Sequence, residues 1–169
     1  TAVDLTLRLQ KLGDVDTLQI INNEDTDPAT QVVASRALAD TSAVIITGTA
    51  QDDRLQIDFD FNAFVDPLPI RFSGGEGEDT LDFSAIQDNL LFVSRKNGDV
   101  DVTNGEYTSN GDGTVSLAGE ISTTTGIGVE NLVGGQGNNT YVFEDGSVLA
   151  GTIDGGTGGN NTLDYSAYS

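Results

Sequence analysis

The sequence predicts an all-β chain wound as a parallel β-solenoid, of the right-handed β-helix or β-roll-like kind. Three observations predict it. Gly-rich blocks recur at Gly74–Asp79, Gly134–Asn139 and Gly155–Asn161. Each leads at once into a short strand-like run: Thr80-Leu81-Asp82-Phe83, Thr140-Tyr141-Val142-Phe143 and Thr162-Leu163-Asp164-Tyr165. Within these runs apolar and polar residues alternate, the period of a strand with one buried face.

The elements follow in chain order. A weak copy of the repeat stands at Asp16-Thr17-Leu18-Gln19-Ile20, and another runs from Gly48 to Ile57. Between them, residues 25–40 read as an insertion. There Asp27-Pro28 offers an N-cap and first-turn pair, followed by Val32, Val33 and Leu38, which predicts a short helix over 28–38. Ala43–Ile46 reads as a strand. Pro67 and Pro69 mark a loop before a strand at Ile70-Arg71-Phe72. Leu90–Val93 is a further strand, and the alternating stretch Asp99–Val102 reads as a degenerate coil.

The stacking argument concerns columns. In a wound ladder the inward residues of successive turns lie above one another. Leu18, Leu55, Leu81, Tyr141 and Leu163 are expected to form one column, and Ile20, Ile57, Phe83, Phe143 and Tyr165 the next. The residues between them, Gln19, Gln56, Asp82, Val142 and Asp164, point outward, and four of these five are polar. A coil of roughly 20–30 residues fits the spacing. An antiparallel sandwich with Gly-rich turns is the competing arrangement. The repeated Gly-Gly-x-Gly block favours the solenoid, because sandwich turns have no reason to repeat one hexapeptide.

Composition bounds the chemistry. Seven Lys and Arg stand against 27 Asp and Glu in 169 residues, a net charge of −20. That charge repels nucleic acid and anionic lipid. With no Cys and no His there is no thiol nucleophile, no disulfide, no Ser-His-Asp triad and no His-bearing zinc site. No run of 18 apolar residues is present to form a membrane-spanning helix. The length suits one domain over 1–169. A start at Thr1 and a stop at Ser169 read as a fragment of a longer repeat protein.

Acid pairs that could serve glycoside hydrolysis, such as Glu76/Glu78, Asp99/Asp101 and Glu144/Asp145, are expected by chance among 27 acids. A uronate-acting enzyme also needs cations for the substrate carboxylate. The seven here are scattered at Arg8, Lys11, Arg36, Arg54, Arg71, Arg95 and Lys96. The expectation is therefore a non-catalytic structural or adhesive module. A β-helix lyase, epimerase or hydrolase acting on polysaccharide is the alternative.

Residues 74–82 resemble the calcium-binding nonapeptide of RTX proteins, with Gly74, Gly75, Gly77, Asp79 and Leu81 in register. The resemblance implies Ca²⁺ held by the Asp79 carboxylate and by carbonyls of residues 74–78, with Glu76 and Glu78 adding negative potential. Asp53 is the second candidate ligand. The second and third blocks depart from the motif, with Asn139 and Asn161 at the Asp position. One or two weak calcium sites, or turns that keep the shape and bind no metal, are both open at this point. More widely, residues 127–169 are similar to segments of large secreted bacterial repeat proteins. That similarity implies an extracellular or cell-surface, adhesin-like setting. It also implies adjoining repeats of the same polypeptide as partners, and a cell-surface or polysaccharide ligand.

Overall fold

Residues 1–63, 67–118 and 124–168 are described by a computed structural model, and among them β-branched and aromatic residues form sixteen strands. The first sheet has seven strands: β1 (Asp4–Leu12), β2 (Val15–Asn22), β3 (Val32–Ala37), β5 (Arg54–Asp58), β7 (Thr80–Asp82), β13 (Asn131–Val133) and β15 (Ile153–Asp154). Its spatial order is β15-β13-β7-β5-β1-β2-β3. The second sheet also has seven: β4 (Val44–Thr47), β6 (Ile70–Ser73), β8 (Leu90–Ser94), β9 (Val100–Thr103), β12 (Thr124–Ile127), β14 (Asn139–Phe143) and β16 (Thr162–Asp164). Its order is β16-β14-β8-β9-β12-β6-β4. A separate hairpin joins β10 (Glu106–Ser109) to β11 (Val115–Ala118).

The all-β expectation agrees with this architecture, but the parallel β-solenoid, or parallel β-helix, does not. The sheets are mixed and sandwich-like. Parallel pairing runs from β1 through β5, β7 and β13 to β15, whereas β1-β2-β3 is antiparallel. In the second sheet β9 runs antiparallel to both β8 and β12. The physical reason lies in two tight reversals. Gly13 (φ 63°) turns β1 into β2, and Gly98 (φ 89°) turns β8 into β9. Asn97-Gly98 between apolar strands is a strong hairpin signal that outranks the solenoid reading of Asp99–Val102.

The expected columns are therefore divided. Leu55 pairs with Leu81 on the first sheet, whereas Tyr141 pairs with Leu163 on the second. Leu18 lies opposite Leu9 in an antiparallel hairpin. The columns that do form are Leu55–Leu81–Leu132–Ile153 on one sheet and Phe92–Tyr141–Leu163 on the other. Between the sheets Leu55, Leu81, Leu132, Phe92 and Tyr141 make one apolar core with Leu7, Ile57, Phe72 and Phe83; Ile153 packs against it, and Leu163 is exposed. The rings of Phe83 and Phe92 meet edge-on at 5.5 Å, and Phe92 stacks on Tyr141 at 4.5 Å. Each such side chain, fully buried, contributes roughly 1.5–3 kcal/mol.

The helix expected over 28–38 is also corrected. The Asp27 carboxylate accepts the Ala29 N–H at 2.9 Å, and the Thr30 and Gln31 N–H groups donate to the Asp27 carbonyl. That completes one turn only. Val32 then enters β3, which pairs antiparallel with β2, because the β-branched Val32 and Val33 favour extended backbone. A single 3-10 turn follows at Leu38–Asp40. Residues 25–40 thus supply a loop and the edge strand of the first sheet.

An outward residue, Val142, is fully buried because the β10–β11 hairpin lies over it. Leu91, Val93, Val115, Val142 and Ala167 form a second, smaller apolar cluster beneath that hairpin.

Candidate functional site

The Gly-rich blocks are corners that pass the chain from one sheet to the other. At Gly75 the backbone takes φ 123°, and an added Cβ would fall against the Thr49 carbonyl oxygen. Glycine is required there both for its conformation and for the close approach of neighbouring turns. Each corner ends in a carboxylate or amide, and these side chains turn inward.

Asp53 and Asp79 are both buried, at 1% and 0% exposure. Asp53 Oδ1 accepts the Val3 N–H at 2.6 Å and the Thr49 hydroxyl at 3.1 Å, while its Oδ2 accepts the Thr49 N–H. Asp79 Oδ1 accepts the Asp53 N–H at 2.7 Å. The Asp79 N–H in turn donates to Glu130 Oε2 at 2.8 Å. Side-chain oxygens on one rung therefore cap backbone N–H groups on the next.

The Asn corners repeat the scheme. Asn139 Oδ1 accepts the Gly135 N–H, and its amide donates to the carbonyls of Gly135, Gly137 and Gly155 at 2.9–3.1 Å. The Asn139 N–H donates to Asn161 Oδ1 at 3.1 Å. An amide can both donate and accept here, and an ionised carboxylate can only accept. The difference shows at Asp79, whose Oδ2 is buried without a partner. Burial pushes the Asp79 carboxyl above its ordinary pKa. The Asp53 N–H opposes the shift, and the nearby charges of Asp53, Glu130 and Asp52 add to it.

The structure thus brings Asp53, Asp79 and Gly74 together at one corner and leaves Glu76 and Glu78 on the exposed loop. Among the described residues no group of three or more Asp or Glu is gathered as a set that could hold a metal ion. The calcium-binding expectation is corrected on this point. Of the two carboxylate oxygens that the RTX-like motif would direct at an ion, Asp79 Oδ1 here accepts a peptide N–H and Oδ2 has no partner.

A second polar cluster escaped sequence reasoning. Arg95 donates through Nε to Asp101 Oδ2 at 2.8 Å and through Nη1 to Glu144 Oε1 at 2.9 Å and the Val115 carbonyl at 2.6 Å. Glu144 also accepts the Val115 N–H at 2.9 Å and the Lys96 N–H at 3.2 Å. Burial alone would push the Glu144 carboxyl up. The Val115 N–H, the Arg95 guanidinium and the Lys96 N–H outweigh it and hold the group below its ordinary range. The sequence offers Glu144 only as half of an acid pair with Asp145. It is instead the clasp that fixes β11 to the second sheet.

An open cleft of about 500 Å³ lies between the hairpin and that sheet, lined by Asn89, Asn104, Glu106, Tyr107, Asn138 and Thr140 among others. Its amides are partly committed. Asn89 Oδ1 accepts the Asn138 N–H, Asn138 Oδ1 accepts the Asn160 N–H, and Asn104 donates to Asn62. The Tyr107 hydroxyl donates to Asp164.

No family model, curated protein or solved structure matches the chain.

Proposed function

We propose that the chain is a non-catalytic structural module of a larger extracellular protein, with an adhesive role at a cell surface. The supporting observation is how its polar residues are employed. The corner residues Asp53, Asp79, Asn139 and Asn161 each spend a side-chain oxygen on backbone N–H groups of their own or a neighbouring rung. Glu144 spends its oxygens on Arg95 and two peptide N–H groups. Such groups rigidify a stack and are held away from a substrate. The similarity of residues 127–169 to large secreted bacterial repeat proteins supports the extracellular setting.

A polysaccharide ligand is favoured by one feature, the cleft beside Tyr107. Its amides, hydroxyl and Glu106 carboxylate suit sugar hydroxyls better than an apolar ligand. Incubation with a panel of neutral and uronate polysaccharides tests both parts. Binding without new reducing ends or unsaturated uronate ends is expected. Turnover that disappears on neutralising an acid of the cleft or its surroundings would overturn the non-catalytic reading.

A further inference from the structure

We infer that copies of this chain stack head to tail, the β15/β16 edge of one copy adding to the β3/β4 edge of the next. Four observations on the two ends of the molecule carry this.

The first is strand direction. Sheet one ends in β15 and β3, and sheet two ends in β16 and β4. β3 is antiparallel to β2, which is antiparallel to β1, which is parallel to the strands leading to β15. β3 and β15 therefore run the same way. In sheet two, β4 is parallel to β6 and β12, and two antiparallel steps through β9 restore that direction in β8, β14 and β16. β4 and β16 also run the same way. A head-to-tail copy can thus continue both sheets at once with parallel pairing. Open edges present unpaired N–H and C=O groups ready for such addition.

The second is the state of the core column at β16. Phe92 and Tyr141 are 1% and 2% exposed, whereas Leu163, next in the same column, is 56% exposed. Tyr165 and Tyr168 beside it are also exposed. The end rung presents core-type residues to solvent.

The third is the opposite end. An open, largely apolar groove of about 320 Å³ runs between β2, β3 and β4, lined in part by Leu18, Ile20, Ala34, Arg36, Val44 and Ile45. It can receive a protruding Leu163.

The fourth is charge. No Lys or Arg occurs after Lys96, and the β15/β16 end carries Asp154 and Asp164. Arg36 lies in the groove at the other end. A tail-to-tail pair would set acid against acid. A head-to-tail pair sets acid against Arg36. Because this contact joins two different surfaces, it leaves both ends of every assembly open and leads to filaments rather than a closed dimer.

The inference extends the structural-module reading, yet its test is independent of any polysaccharide assay. The 169-residue chain is examined by sedimentation and light scattering over a concentration series, and by negative-stain microscopy. Mass is expected to rise without a plateau, with thin unbranched fibres at high concentration. Leu163→Lys on one edge and Ile45→Lys on the other, both at exposed positions, should each abolish the rise while leaving the circular dichroism spectrum unchanged. Mixed in equal amounts, the two variants keep one good edge each and should form dimers and nothing longer. A chain that stays monomeric at every concentration overturns the inference. So does a closed dimer lost with Leu163→Lys and untouched by Ile45→Lys, the mark of tail-to-tail pairing.

Discussion

Asp53 and Asp79 stand on consecutive rungs of the first sheet, and the backbone N–H of the first donates to the carboxylate of the second at 2.7 Å. The relationship explains why an acid closes the corner at each position. It also exposes a weakness, since Asp79 Oδ2 has no partner, whereas the amide of Asn139 makes several bonds at the matching place in its block. Asp79→Asn is therefore expected to stabilise the fold at neutral pH. Relieving a buried unsatisfied group is worth about 1–3 kcal/mol. The sign with pH follows from the raised pKa. A raised carboxyl favours the fold fully only below its unfolded value of about 3.9, and that contribution is lost as pH rises through the folded value. The variant's advantage should be largest near neutrality and shrink in acid. Thermal melts of both proteins across that range check it. A variant less stable than the parent at neutral pH would show that the anion itself is needed.

Glu144 behaves in the opposite sense. Its pKa is lowered, so its contribution is present above the ordinary carboxylate value of about 4.3 and is lost as pH falls through the folded value. Glu144→Gln removes the charge opposite Arg95 and leaves that guanidinium partly buried against Asp101 alone. The expected cost is about 2–4 kcal/mol at neutral pH, since breaking one side of a buried pair leaves an uncompensated charge. Urea unfolding at neutral and acid pH measures it. The gap between parent and variant should close in acid. An equal gap at both would assign the loss to packing.

How much of this was legible beforehand depends on the range of each signal. The strands after the Gly-rich blocks stand where the alternation puts them, at Thr80–Asp82, Asn139–Phe143 and Thr162–Asp164. Period-two alternation distinguishes inward from outward, but it does not say to which sheet a strand belongs. Leu81 and Leu163 thus look equivalent in sequence and fall on different sheets. Asn97-Gly98 carries a local sign of the β8–β9 hairpin that competes with the repeat pattern. The Asp53 corner was visible through its Gly and Asp spacing. The Arg95–Glu144 clasp was not, because its partners are 49 residues apart and no local motif joins them. The same Gly-x-Asp geometry that can aim oxygens at calcium here aims one at a neighbouring peptide N–H.

Calcium should accordingly act as a general counter-ion. Asp53 accepts through both oxygens and Asp79 through one, while Glu76 and Glu78 stand on the exposed loop. At a net charge of −20, any divalent cation eases self-repulsion. Calcium and magnesium at matched ionic strength are expected to raise the melting midpoint by the same few degrees, and a chelator should not lower it below the value in monovalent salt. A midpoint that responds to calcium and not to magnesium would contradict this, because a specific oxygen cage discriminates between the two ions.

The hairpin over the second sheet gives the last test. Tyr107 donates its hydroxyl to Asp164, joining β10 to the end strand β16. The hydrogen bond to Asp164 pushes the Tyr107 hydroxyl up to about 12, with burial and the Asp164 charge adding to it. Asp164 is correspondingly lowered by that bond and by the Ser166 N–H. Tyr107→Phe keeps the ring and removes the donor, so the loss isolates one bond to a charged acceptor, about 1.5–3 kcal/mol at most. Because Tyr107 is only part-buried, the cost should lie at the lower end and be local. Amide exchange should quicken across Glu106–Ser109 and Val115–Ala118 and stay slow in β5 and β7, whose side chains Leu55 and Leu81 are fully buried. The bond's contribution is present above the ordinary carboxylate pKa and is lost as Asp164 protonates in acid. Parent and variant hairpins should therefore exchange alike at low pH once intrinsic rates are corrected. Uniform acceleration through both sheets would show that the hairpin unfolds only with the whole molecule.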